Sequence, residues 1–75
     1  MLRKNFSSRI ALLRKEAGLS QDELGKAVGV SPDAISTMER GKRLASMDVL
    51  VALADYFSVS LDYLTGRSDT RERLP

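Results

Sequence analysis

Two stretches with helical patterning are joined in this chain by almost nothing. The whole join is Val28-Gly29-Val30-Ser31. Before it, Ser20 and Glu23 make a capping box that starts a helix over residues 21–28, with Leu24, Ala27 and Val28 inward. After it, Ser31 caps a second helix, and Pro32 sits where a missing N–H costs nothing. Gly41 can take the left-handed conformation that ends that helix. Between those marks only Ala34, Ile35 and Met38 are apolar, at the spacing of one buried face. Two short helices on so tight a link must cross steeply. That crossing asks for positive φ at Gly29, an apolar plug at Val30 and a small residue where the helices meet, the place of Gly25.

The flanks read as more helix. Asn5 is a candidate cap for a helix over residues 6–17, with Phe6, Ile10, Leu13 and Ala17 as its stripe and Gly18 as its stop. Residues 1–4 form a short basic arm ahead of it. Ser46 caps a helix over residues 47–57, with Leu50, Leu53, Ala54 and Phe57 inward. Ser60 caps a short one over residues 61–64, and Gly66 closes the helical region. Strand signals are absent. The expected fold class is all-α, five short helices around one core. One domain over residues 1–66 is expected, followed by a mobile tail at residues 67–75 with little apolar content beyond Leu74.

Composition removes several functions. The 75 residues include no Cys and no His, which takes away disulfides, thiolate metal sites and the usual neutral-pH base. No cofactor and no metal are expected. Asp22/Glu23 and Asp62/Asp69 are paired acids only in sequence, and with no His or Cys and no expected pocket an enzyme is not expected. No apolar run reaches membrane-span length, and the N-terminus has no signal-peptide core, so a soluble, cytoplasmic protein with no membrane partner is expected. The net charge of +2 is unevenly placed. Residues 1–43 hold nine Lys and Arg against five acids, a balance of +4, and residues 44–75 hold three against five, a balance of −2. That asymmetry fits a polyanion on one side of the molecule, and it also fits ordinary scatter in a soluble domain.

The motifs then carry a resemblance. Leu19-Ser20-Gln21-Asp22-Glu23-Leu24, Val28-Gly29-Val30-Ser31 and Ile35-Ser36-Thr37-Met38-Glu39-Arg40-Gly41-Lys42 resemble the phage repressor/Cro (Xre-like) helix-turn-helix family. So do Arg9-Ile10, Leu13-Arg14, Leu50, Leu53-Ala54 and Phe57-Ser58-Val59-Ser60-Leu61-Asp62-Tyr63-Leu64. The resemblance spans nearly the whole chain. It implies a compact five-helix lambda-repressor-like DNA-binding domain, with the helix-turn-helix at the second and third helices. It also implies binding of double-stranded operator DNA, usually as a two-fold homodimer.

Position by position, the resemblance places Gln21 and Ser31 on phosphate. It places Pro32, Asp33, Ser36 and Thr37 at base edges, and Arg40, Lys42 and Arg43 beside the backbone where the chain leaves the third helix. This agrees with general physics, since helix N-termini and cations fix register while short polar side chains discriminate bases. Two features depart from the family pattern. Gly25 stands where Ala is commoner, and glycine inside a helix costs about 1 kcal/mol. Pro32 and Asp33 stand where longer polar residues are common; Pro32 also reads as a plain helix starter, and Asp33 can only accept, for instance from cytosine N4. Arg14 and Glu39 match a pair that ties the first helix to the end of the third, with Arg14 on phosphate as the other reading.

Val59, Leu61, Tyr63 and Leu64 exceed what a small core obviously absorbs. They are expected to make the subunit contact, or else to close the core of a monomer that pairs only on DNA. The sequence supports a DNA-binding transcriptional regulator, a repressor at a roughly palindromic site. The alternative is an antitoxin-like or other protein-interaction module on the same scaffold. The third helix distinguishes them, because a protein-binding face should carry large apolar anchors, and this one carries Asp33, Ser36, Thr37 and Arg40.

Overall fold

The last four helices each begin on a serine. In a computed structural model of the chain, which describes residues 2–72 with side chains from Asn5 onward, each serine hydroxyl accepts a hydrogen bond from the amide three residues on. Ser20 takes Glu23 N at 3.0 Å, Ser31 takes Ala34 N at 3.1 Å, Ser46 takes Val49 N at 3.4 Å and Ser60 takes Tyr63 N at 2.9 Å. Each satisfies an amide that the helix itself leaves without a partner. The elements are α1 (Leu2–Glu16), α2 (Gln21–Val28), α3 (Pro32–Glu39), α4 (Met47–Phe57) and α5 (Leu61–Leu64). No strand occurs among the described residues. The five-helix, all-α fold is therefore as expected, and α2 to α5 have the expected bounds.

One core joins the helices. Phe6, Ile10 and Leu13 of α1 meet Leu24 of α2, Ala34, Ile35 and Met38 of α3, Leu53 and Ala54 of α4, and Val59, Tyr63 and Leu64 around α5. Seven of these side chains are fully enclosed, each worth about 1.5–3 kcal/mol of transfer free energy. The effect is to press α2 and α3 together on one side, with α1 behind α3 and α4 behind α2.

Four expectations are corrected. α1 starts at Leu2, so Asn5 lies inside the helix and caps nothing. Asn5 packs instead on Gly66, so closely that a Cβ on the glycine would fall 2.3 Å from the Asn5 Cβ. Of the expected basic arm, Leu2 to Lys4 continue the α1 backbone, whereas Met1 and the Arg3 and Lys4 side chains lie outside the described residues. Ala17 and Ala27, assigned inward, are exposed. Ala17 falls past the end of α1, which Gly18 N and Leu19 N close onto Lys15 O and Arg14 O.

The subunit-contact assignment is the third correction, for Val59, Tyr63 and Leu64. They are 3%, 6% and 0% exposed, because the short α5 turns them into the chain's own core; Leu61 alone of the four is exposed.

The expected mobile tail is the fourth. Residues 67–72 fold back onto α1 and α5. Arg9 donates to Tyr63 O and Ser68 O and pairs with Asp69 at 2.7 Å. Arg71 pairs with Glu16 at 2.8 Å and donates Nε–H to the Tyr63 hydroxyl at 3.2 Å. Ser60 N–H donates to Arg71 O at 2.9 Å. The Tyr63 ring has guanidinium groups over it, Arg9 at 4.2 Å and Arg71 at 5.3 Å. The rest of that tail, residues 73–75 with Leu74, lies outside the described residues.

Candidate nucleic-acid interface

The α2–α3 turn is closed by one carbonyl. Gly29 N and Val30 N both donate to Gly25 O, at 2.8 and 2.9 Å. Gly29 has φ +83°, as the steep crossing requires. The backbones approach so closely that a Cβ on Gly25 would stand 2.5 Å from Val30 O. The departure at Gly25 therefore has a steric cause in this chain.

From that turn α3 runs with Ala34, Ile35 and Met38 buried beneath it. The opposite face carries the residues at the expected base-reading positions. Pro32 and Asp33 are exposed, and Ser36 and Thr37 are half-buried. Thr37 Oγ1 donates to Asp33 O at 2.8 Å, so its hydroxyl hydrogen is already engaged within the helix. The expected phosphate-side residues Ser31, Arg40, Lys42 and Arg43 are all exposed, at the entry and exit of α3. The Ser31 oxygen accepts from Ala34 N, which leaves its hydrogen available to a ligand.

The expected Arg14–Glu39 pair is present. Arg14 Nε donates to Glu39 Oε2 at 2.5 Å and Nη2 to Oε1 at 3.1 Å, while Nη1 donates to Leu19 O at 2.7 Å. The two side chains are 15% and 9% exposed. The carboxylate's hydrogen bond raises the Arg14 pKa further above its ordinary value, against an opposing effect of burial. The pair draws α1, the α1–α2 loop and the end of α3 to one point, so it holds the tilt of α3.

Gln21 joins this node, which the sequence did not reveal. Its Nε2 donates to Glu39 Oε1 at 3.2 Å. The amide expected on phosphate thus rests on a carboxylate at the back of α3. A side-chain contact across 18 residues leaves no local pattern to find. The Arg9 clamp was missed for the same reason. Among the described residues, no helix is long and apolar enough to cross a membrane.

A short helix crossed steeply over another, pinned from below, polar on its outer side and basic at its exit, defines a lambda-repressor-like helix-turn-helix domain. A family model described as helix-turn-helix matches residues 10–64, and the chain belongs to that family, in its phage repressor/Cro-like (Xre-like) branch of DNA-binding transcriptional regulators. Similar proteins include the HTH-type transcriptional regulator PrpR of Mycobacterium tuberculosis, 35% identical over 69 residues, which cover 91% of this chain and 14% of PrpR. The transcriptional repressor RstR of the cryptic phage CTXphi in Vibrio cholerae is 34% identical over 67 residues, 89% of this chain and 60% of RstR. This chain thus spans less than two thirds of either relative. Among solved structures, the P22 c2 repressor in complex with a synthetic operator superimposes with a TM-score of 0.80 at 38% identity, over 84% of this chain and 96% of that one.

Proposed function

We propose that the chain binds a specific operator in the cytoplasm as a homodimer and represses transcription there. The observation that carries this is the outer face of α3: Pro32, Asp33, Ser36 and Thr37 on a helix fixed from beneath, between Ser31 at its start and Arg40, Lys42 and Arg43 at its end, where Gln21 also rests on Glu39. The face has no large apolar anchor of the kind a protein partner would need. The P22 c2 repressor, similar over most of this chain, has its structure in complex with operator DNA. Repression needs no chemistry, because occupied DNA excludes polymerase.

In a two-fold dimer the α3 helices meet successive major-groove faces about one helical turn apart, so the operator is roughly palindromic. With Val59, Tyr63 and Leu64 in the core, the subunit contact falls to the exposed apolar residues of the acidic half, Leu61 of α5 and Met47, Val51 and Tyr56 of α4. Sedimentation should give a dimer at high micromolar concentration, and Leu61→Asp should yield a monomer with weakened operator binding.

Fluorescence anisotropy against duplexes selected from a random pool tests the reading. With Arg40, Lys42 and Arg43 of both subunits on phosphates, six charges engage, and log K should fall against log[salt] with a slope of about −5. Binding without salt dependence, or to no duplex, refutes it.

A further inference from the structure

The groups on the outer face of α3 narrow what the helix can read. Side chains that recognise purines in the major groove are Arg or Lys on guanine and Asn or Gln on adenine, each by paired contacts. None of the four occurs between Ser31 and Glu39. The face instead presents Asp33, exposed in the first turn, whose carboxylate makes no ion pair among the described residues. One turn on stands Thr37. Its hydrogen is engaged on Asp33 O at 2.8 Å, so what it offers outward is lone pairs and a methyl group. The two residues are separated by about 6 Å of helix rise, the height of about two base steps.

An acceptor without a donor is selective among base edges. Thymine shows O4 and guanine shows N7 and O6, all acceptors that repel a carboxylate. Adenine sets its N6 donor beside the N7 acceptor. Cytosine alone shows on its own edge a donor, N4, with no acceptor beside it. A threonine methyl matches the one apolar group in the groove, the C5-methyl of thymine.

We infer that α3 reads pyrimidines: Asp33 accepts from the N4 amino group of a cytosine, and the Thr37 methyl packs on the C5-methyl of a thymine one or two base steps away. This rests on the DNA-binding reading above and names the target of that same face. Pro32 contributes no hydrogen bond and starts the helix. Arg40, past the end of α3, stays on the backbone.

The test uses the full chain and the best duplex selected from a random pool. The wild type, Asp33→Asn, Thr37→Ser and Thr37→Val are titrated by anisotropy, with circular dichroism confirming that each is folded. Replacing the read cytosine by thymine, with its partner, should weaken the wild type about tenfold. Asp33→Asn should lose that preference and move toward adenine. Replacing the read thymine by uracil removes only the methyl, and should weaken the wild type and Thr37→Val about threefold to fourfold. Thr37→Ser keeps the hydroxyl and lacks the methyl, so it should be indifferent to uracil. Tight binding with no cytosine preference attributable to residue 33, or a uracil effect unchanged in Thr37→Ser, overturns the inference and leaves DNA binding intact. Binding to no duplex overturns both.

Discussion

Gly25→Ala sets two effects of similar size against each other. Helix propensity favours alanine by about 1 kcal/mol at an interior position such as this one in α2. The fold opposes it. The new Cβ would lie 2.5 Å from Val30 O, 3.3 Å from Ser31 C and 3.4 Å from Ser31 O, and the first of these is about 1 Å inside ordinary contact. The atom in the way is backbone, and its turn is already closed by Gly29 N and Val30 N on Gly25 O, so it cannot rotate aside. Overpacking of this kind costs about 1–3 kcal/mol, the upper part applying where backbone must move. The net expectation is a loss of about 1–2 kcal/mol. For a domain of this size that lowers Tm by about 5–15 °C, read by circular dichroism with a parallel urea titration. DNA affinity should fall as well, since relief requires the entry of α3 to shift. Gly29→Ala is the control. A Cβ there meets nothing within 4 Å, so its cost comes from φ +83° alone, about 1–2 kcal/mol, and α3 stays in place. A Gly25→Ala protein with equal or higher Tm would show that the turn yields cheaply, and the steric reasoning would be refuted.

Glu39→Ala leaves the Arg14 guanidinium largely buried without its partner and removes the acceptor of Gln21, so chemical denaturation should show a loss of about 3 kcal/mol. Arg14→Met with Glu39→Gln should recover part of that loss. The Glu16 carboxyl is held below its ordinary pKa, first by its hydrogen bond from Arg71, so its contribution is present above the usual carboxylate range and is lost as pH falls through the depressed value. Protection of the Ser60 amide, which donates to Arg71 O, measured as its hydrogen-exchange rate relative to the intrinsic rate at each pH, should fall in acid below that range, and Glu16→Gln should remove that fall. Arg40→Ala should weaken all duplexes alike and make the salt slope shallower by about 2 for a dimer, with the selected consensus unchanged.

What could be read from the chain was whatever is settled within a few residues. Ser20, Ser31, Ser46 and Ser60 each satisfy an amide three positions on, so the starts of α2 to α5 were legible. Gly29 was legible because a link this short admits few backbone paths. The outer face of α3 followed from its buried face, since Ala34, Ile35 and Met38 leave Asp33, Ser36, Thr37 and Arg40 outside. Arg14–Glu39 was legible through the family resemblance alone, as nothing local relates residues 25 apart.

The remainder depended on which distant surfaces meet. A pattern of apolar residues states that Val59, Tyr63 and Leu64 are buried, but not against what; the packing of α5 on α1 and α4 placed them in the core and left Leu61 outside. Residues 67–72 look like a polar tail in sequence because hydrophobic patterning does not register Arg9 and Arg71. Those two side chains reach across more than 50 residues to fasten it. The helices, their caps and the tight turn were legible in the chain because the interactions that make them are local. Tertiary packing decided the burial of Val59, Tyr63 and Leu64, the Gln21–Glu39–Arg14 node behind α3 and the docking of residues 67–72, because each is a contact between parts of the chain that no short-range pattern links.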